Sequence, residues 1–87
     1  MSISRKNIIA CKKGFGSNLK LLRESKGLSQ LDLASLVNLD KTSISRIENG
    51  RTNITLITAL KLSVALEKNL KDLFDFKLIE HLTNSKN

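Results

Sequence analysis

The punctuation of this chain limits its fold more than its composition does. Apolar residues recur at helical spacing, but each such stretch is cut short by a residue that starts or stops a helix. Phe15, Leu19 and Leu22 form one stripe, which predicts a helix over about 15–26, stopped by Gly27 in the left-handed conformation. Ser29 and Asp32 have the spacing of a capping box, and Leu33, Ala34 and Val37 give the helix behind them one buried face. Asn38 tolerates the left-handed turn that must follow, and Leu39 is expected to plug the space between helices. Asp40 caps a third helix, Lys41 to Asn49, with Ile44 and Ile47 inward and Gly50 as its stop. Thr55 opens a fourth, whose stripe reads Leu56, Ala59, Leu60, Ser63 and Leu66. Asn69 with Asp72 opens a fifth carrying Leu70, Leu73 and Phe74, and Phe74, Leu78, Ile79 and Leu82 prolong the spacing into a helical extension.

Proline is absent and the only aromatic residues are Phe15, Phe74 and Phe76, which disfavours a sandwich or barrel. The expected class is all-α, a compact bundle of five helices with a C-terminal helical extension. A basic leader with no clear period occupies residues 1–14, as a disordered stretch or a short arm. The main domain covers 15–74, and the extension and a fraying tail cover 75–87. Eighty-seven residues suit one such domain. No internal repeat is present.

The formal net charge is +7. Residues 1–54 carry ten Lys or Arg against four Asp or Glu, whereas 55–87 carry five against four. A positive potential concentrated in one part of a molecule suits a polyanionic partner, nucleic acid first, with a merely solubilising charge as the plain alternative. Cys11 is the single cysteine, so no internal disulfide can form. No apolar run is long enough for a membrane span, and Ile8, Ile9 and Ala10 are too few for a signal peptide. A cytoplasmic location without membrane contact is expected.

An enzyme is not expected. His81 is the lone histidine, no cluster has metal-ligand spacing, and Gly14-Phe15-Gly16 lacks the third glycine and preceding strand of a phosphate loop. Lys12 and Lys13 flank Cys11 but are slender grounds for redox chemistry. No cofactor or metal is implied, and Gly16 is read as permitting close packing near the start of the first helix.

The third helix carries the functional signal. Between its isoleucines lie Lys41, Thr42, Ser43, Ser45 and Arg46, all hydrogen-bonding and none acidic, with Glu48 the only carboxylate after the cap. A solvated helix face usually mixes both signs. A face without carboxylates does not repel phosphates, and an arginine can bond guanine bidentately. Two short helices joined at Asn38-Leu39-Asp40, with small Ala34 where they cross, are the ingredients of a helix-turn-helix at residues 29–49.

From Phe15 to Phe74 the wording resembles the Cro and lambda-repressor (Xre) family of helix-turn-helix domains. LRESKGLSQ, the Leu33-Ala34 pair, SISRIENG and the DLF at 72–74 carry the likeness. The resemblance implies base contacts from Lys41, Thr42, Ser43, Ser45 and Arg46, with Thr42, Arg46 and Lys41 foremost. It implies backbone contacts from Ser29, Gln30, Asn49, Arg51 and Asn53, with Gln30 also buttressing the recognition helix. It further implies a structural salt bridge between Arg23 and Glu48.

The chain departs from the pattern at Asn38, where Gly is usual, and at Ile54, where Pro is common. Leu31, Leu36, Ile57 and Val64 stand where polar residues are usual. Ile57, Val64, Phe76, Leu78, Ile79 and Leu82 are therefore expected to form a homodimer interface, unless the tail folds back on its own domain. The implied function is a sequence-specific regulator that binds a two-fold related operator on double-stranded DNA as a homodimer. VNLDKTSISRIENGR also resembles the controller proteins of restriction-modification systems. A phage repressor, or an antitoxin that neutralises a toxin and represses its own operon, stands beside that reading. A polymerase contact would follow if the protein acts at a promoter.

Overall fold

A computed structural model describes residues 3–78. Within them the chain forms five helices and no strand: α1 Arg5–Ser25, α2 Gln30–Leu36, α3 Lys41–Glu48, α4 Leu56–Ala65 and α5 Leu70–Leu73. The caps lie where the side chains dictate. Ser29 and Asp32 close a reciprocal box, the Asp32 N–H donating to Ser29 Oγ and the Ser29 N–H to Asp32 Oδ2, both at 2.9 Å. Asp40 Oδ1 accepts the Ser43 N–H at 2.7 Å, and Thr55 Oγ1 accepts the Thr58 N–H at 3.0 Å. At α5 the Asn69 N–H donates to Asp72 Oδ2 at 2.9 Å.

The first four helices end in one way. Gly27, Asn38, Gly50 and Glu67 all have positive φ, and the next residue's N–H reaches back to the carbonyl of the helix's last turn. Leu28 bonds Arg23, Leu39 bonds Ala34, Arg51 bonds Arg46 and Lys68 bonds Ser63, at 2.9–3.1 Å. Each closure satisfies carbonyls that would otherwise be orphaned. Asn38 takes the glycine-like conformation expected of it. Glu67 does so without any sequence signal, its carboxylate paired with Lys26.

The core joins Phe15 and Leu19 of α1, Leu33 and Ala34 of α2, Ile44 and Ile47 of α3, Ala59 and Leu62 of α4, and Leu73 of α5, with Val37 and Leu66. α1 crosses α3 at Gly16, where a Cβ would collide with the carbonyls of Ile47 and Glu48. α5 is tied to α1 by Asn18, whose amide donates to the carbonyls of Asp72 and Leu73 at 2.8 and 3.0 Å. The Phe15 and Phe74 rings sit 5.3 Å apart, tilted by 50°.

The structure corrects four readings. The first helix starts at Arg5, not near residue 15, so most of the expected leader is helical; Ser4 caps it by accepting the Asn7 N–H. Charge hid that turn of helix, because its apolar residues Ile8 and Ile9 stay largely exposed and make no stripe with Phe15. Leu39 is not a buried plug but 36% exposed, and Val37 fills the space instead. In α4 the buried stripe is Ala59, Leu62, Ser63 and Leu66, with Leu56 65% and Leu60 45% exposed. α4 is apolar on several faces, so spacing alone could not choose among stripes. Finally, α5 stops at Leu73, and 74–78 turn back without helix, Phe76 bonding its N–H to the Phe74 carbonyl. Gly14 makes room for that return, the Phe76 ring occupying the space a Cβ would take. The rest of the expected extension, with Ile79, His81, Leu82 and the fraying tail, lies outside the described residues.

Candidate nucleic-acid interface

The site is built on α3. Ile44 and Ile47 are buried and fix the helix against α1 and α2, which sends Lys41, Thr42 and Arg46 outward. Ser43 and Ser45 are half-buried at the edges of that face. Among the described residues no ion pair engages Lys41, Arg46 or Arg51. The capping carboxylate of Asp40 is occupied within the helix. Hydrogen bonds from Ser43, aided by the nearby Arg46 charge, hold its carboxyl below the usual range.

Beneath the polar face, Glu48 anchors α3. Arg23 Nε and Nη2 reach its two carboxylate oxygens at 2.6 and 3.0 Å, a bidentate pair with both side chains buried. Arg23 Nη1 adds a bond to the Leu28 carbonyl at 2.7 Å, and Gln30 Nε2 donates to Glu48 Oε1 at 3.0 Å. The hydrogen bonds to Glu48 raise the Arg23 guanidinium above its ordinary pKa, against the cost of burial. One carboxylate thus locks α1, α2 and α3 together, and no buried side-chain polar atom of the described residues lacks a partner. The buttressing half of the role implied for Gln30 is visible here, since its amide is already shared with α3.

The other expected backbone contacts are arranged unevenly. The Ser29 hydroxyl accepts the cap bond of α2. Asn49 folds its amide back onto the Ser45 carbonyl and hydroxyl, at 2.9 and 3.3 Å, instead of standing free. Arg51 and Asn53 are exposed in the loop after α3. Thr52 and Thr58, which carried no signal in the sequence, join Ser43, Arg46 and Asn53 around a shallow cleft of about 200 Å³ beside α3. Lys12 and Lys13, part of the basic excess of residues 1–54, are carried by α1 alongside the loop after α3.

On another face, Ile57 and Val64 are exposed as expected, and Val64 adjoins Leu60 and Leu36 around a groove of about 480 Å³ between α2 and α4. Phe76 is not free for an interface: it is partly buried against the core of its own chain. Leu78 is half-buried.

The sequence model of the helix-turn-helix family (HTH_3) matches residues 19–73, from the middle of α1 through α5. The chain belongs to this family. It is 44% identical over 61 residues to the control protein C.MunI of a Mycoplasma species, covering 69% of this chain and 82% of that one. To the control protein C.BamHI of Bacillus amyloliquefaciens it is 40% identical over 73 residues, 83% and 90% of the two chains. Among solved structures, the restriction-modification controller protein C.AhdI from Aeromonas hydrophila superposes with a TM-score of 0.74 at 38% identity, over 80% of this chain and all of that one. Antitoxin HipB of Escherichia coli is more distant, 35% identical over 52 residues, 60% of this chain. The protein is a DNA-binding transcriptional regulator with a helix-turn-helix.

Proposed function

We propose that this regulator acts as a homodimer of the controller type, each α3 entering the major groove of one half of a two-fold related operator. The observation that carries the reading is the outward face of α3, cationic and hydroxylic, without an ion pair of its own, on a helix locked from behind by the buried Glu48 network. A rigid helix with uncommitted donors suits base reading, because little ordering remains to be done on binding. Lys41, Thr42, Ser43, Ser45 and Arg46 then contact bases. Ser29, Gln30, Asn49, Arg51 and Asn53 contact the sugar-phosphate backbone, Asn49 through whatever capacity its bonds to Ser45 leave.

The exposed apolar surface of α4, with Ile57 and Val64 at its centre, supplies the dimer face. Half-sites about one helical turn apart, roughly 34–36 Å, follow from two-fold symmetry. Similarity to the control proteins reaches 69–83% of the chain and to the antitoxin 60%, which favours a controller over an antitoxin. The protein would work in the cytoplasm, where the DNA is, without catalysis. Among the described residues no helix is long and apolar enough to cross a membrane.

Selection of bound sequences from a random duplex library tests the reading. Enrichment of a site with two-fold symmetry supports it. A bound pool no different from the input would overturn it.

A further inference from the structure

The family match begins at residue 19, yet α1 begins at Arg5. The charges of the extra length are all basic: Arg5, Lys6, Lys12 and Lys13 precede residue 19 and no Asp or Glu does. Among the described residues none of the four has an ion pair.

The direction they face is set by the rest of the helix. Gly16 and Arg23 are the points where α1 meets α3, at its last carbonyls and at Glu48. Residues 5, 9, 12 and 16 follow one another at spacings of three and four, and 13 lies four after 9 and three before 16, so Arg5, Lys12 and Lys13 continue the same side of α1 beyond the end of α3. Contact with the loop after α3 is direct. A Cβ built on Gly50 would lie 3.0 Å from the Lys13 Cα and Cγ, and Lys12 lines one cleft with Thr52 and Asn53. These cations therefore stand beside the loop to which backbone contacts are ascribed. From Lys13 back to Arg5 they extend from it by about 12 Å at 1.5 Å per residue, on the order of three to four base-pair steps of 3.4 Å.

We propose that the basic N-terminal half of α1, through Arg5, Lys12 and Lys13, binds phosphates of duplex DNA flanking each half-site. Lysine and arginine on a helix recognise phosphate without regard to sequence, so this contact adds affinity and salt dependence and no base preference. The proposal rests on the DNA-binding reading above and adds a second contact area to it.

The test compares two duplexes carrying the selected site, one trimmed to its ends and one with six flanking base pairs of arbitrary sequence on each side. Wild type, Lys12→Gln/Lys13→Gln and Arg46→Ala are titrated by fluorescence anisotropy over a fourfold range of salt, with thermal melts confirming that each is folded. Wild type should bind the longer duplex more tightly. The double variant should lose most of that advantage and flatten the slope of log affinity against log salt by about 0.9 per lost contact. For two contacts per protomer, four per dimer, that difference amounts to on the order of a hundredfold over the salt range. Arg46→Ala should weaken binding to the site and keep the advantage of the longer duplex. Equal wild-type affinity for both duplexes, or a double variant with the wild-type slope and ratio, overturns the flanking contact while leaving the α3 reading intact. Failure of wild type to bind either duplex overturns both.

Discussion

Replacing Gly16 by alanine tests how closely the recognition helix is held. A Cβ at this position would lie 2.5 Å from the Glu48 carbonyl oxygen and 2.8 Å from its carbonyl carbon, where ordinary contact begins at 3.4 Å. Both partners are backbone, so no side-chain rotation relieves the clash, and α1 and α3 must separate by most of an ångström. Overpacking of this kind costs about 1–3 kcal/mol, here at the upper end because the obstacle is rigid. Alanine returns about 1 kcal/mol of helix propensity, which leaves a net loss of about 2 kcal/mol. For a domain of this size that lowers Tm by roughly 8–16 °C. Gly14→Ala is the control. There a Cβ meets the Phe76 ring, a side chain that can shift at some cost to its packing against the core. That variant should melt well above Gly16→Ala. Circular dichroism melts of the three proteins at matched concentration decide the matter. If Gly16→Ala is as stable as Gly14→Ala, the close approach of α1 to α3 is not what fixes α3.

Removing Glu48 by alanine leaves Arg23 buried without its partner and should cost on the order of 3–5 kcal/mol in denaturant unfolding; a loss below 1 kcal/mol would show that the network does not hold the three helices. Arg51→Ala should weaken binding to operator and random DNA alike and reduce the salt slope by about 0.9 per protomer, and an unchanged slope would remove Arg51 from the phosphate contacts. The caps make an acid-side prediction. Asp32 and Asp40 are held below the ordinary range by their hydrogen bonds to Ser29 and Ser43. Their contribution is therefore complete above the ordinary aspartate pKa of about 3.9 and is lost as pH falls through the depressed folded values. Asp32→Asn/Asp40→Asn should flatten Tm against pH on that acid limb, and parallel curves would refute the assignment. Sedimentation should give a dimer at micromolar concentration that Val64→Glu and Ile57→Glu convert to monomer; wild type that stays monomeric while occupying full sites without cooperativity would contradict the dimer.

Much of the fold was legible because its boundaries are chemical. Ser29, Asp40 and Thr55 advertise helix starts through their side-chain oxygens, and Gly27, Asn38 and Gly50 advertise stops through the φ they tolerate. The polar face of α3 was legible because the inward Ile44 and Ile47 turn Lys41, Thr42 and Arg46 to solvent. What escaped was decided by tertiary contacts. Three leucines, an isoleucine and a valine spread around α4 offered several stripes, and only packing against α2 and α5 chose Ala59, Leu62 and the capping Leu66. The start of α1 has little buried apolar surface to betray a period, and its helicity shows only once Ser4 is seen capping it. Asn18 and Glu67 act on partners 54 and 41 residues distant, a separation that local spacing cannot reveal. The bond from the Asn49 amide to the Ser45 carbonyl had no signal in the sequence either.

Whether α3 reads sequence is tested most directly by comparing base-by-base specificity profiles of wild type and Arg46→Ala, each obtained from the same random duplex library. Wild type should return two related half-sites, and Arg46→Ala should lose preference at one position per half-site, worth about 1–3 kcal/mol, while the other positions stand. Identical profiles from the two proteins would contradict the reading of DNA sequence through Arg46 and the exposed face of α3.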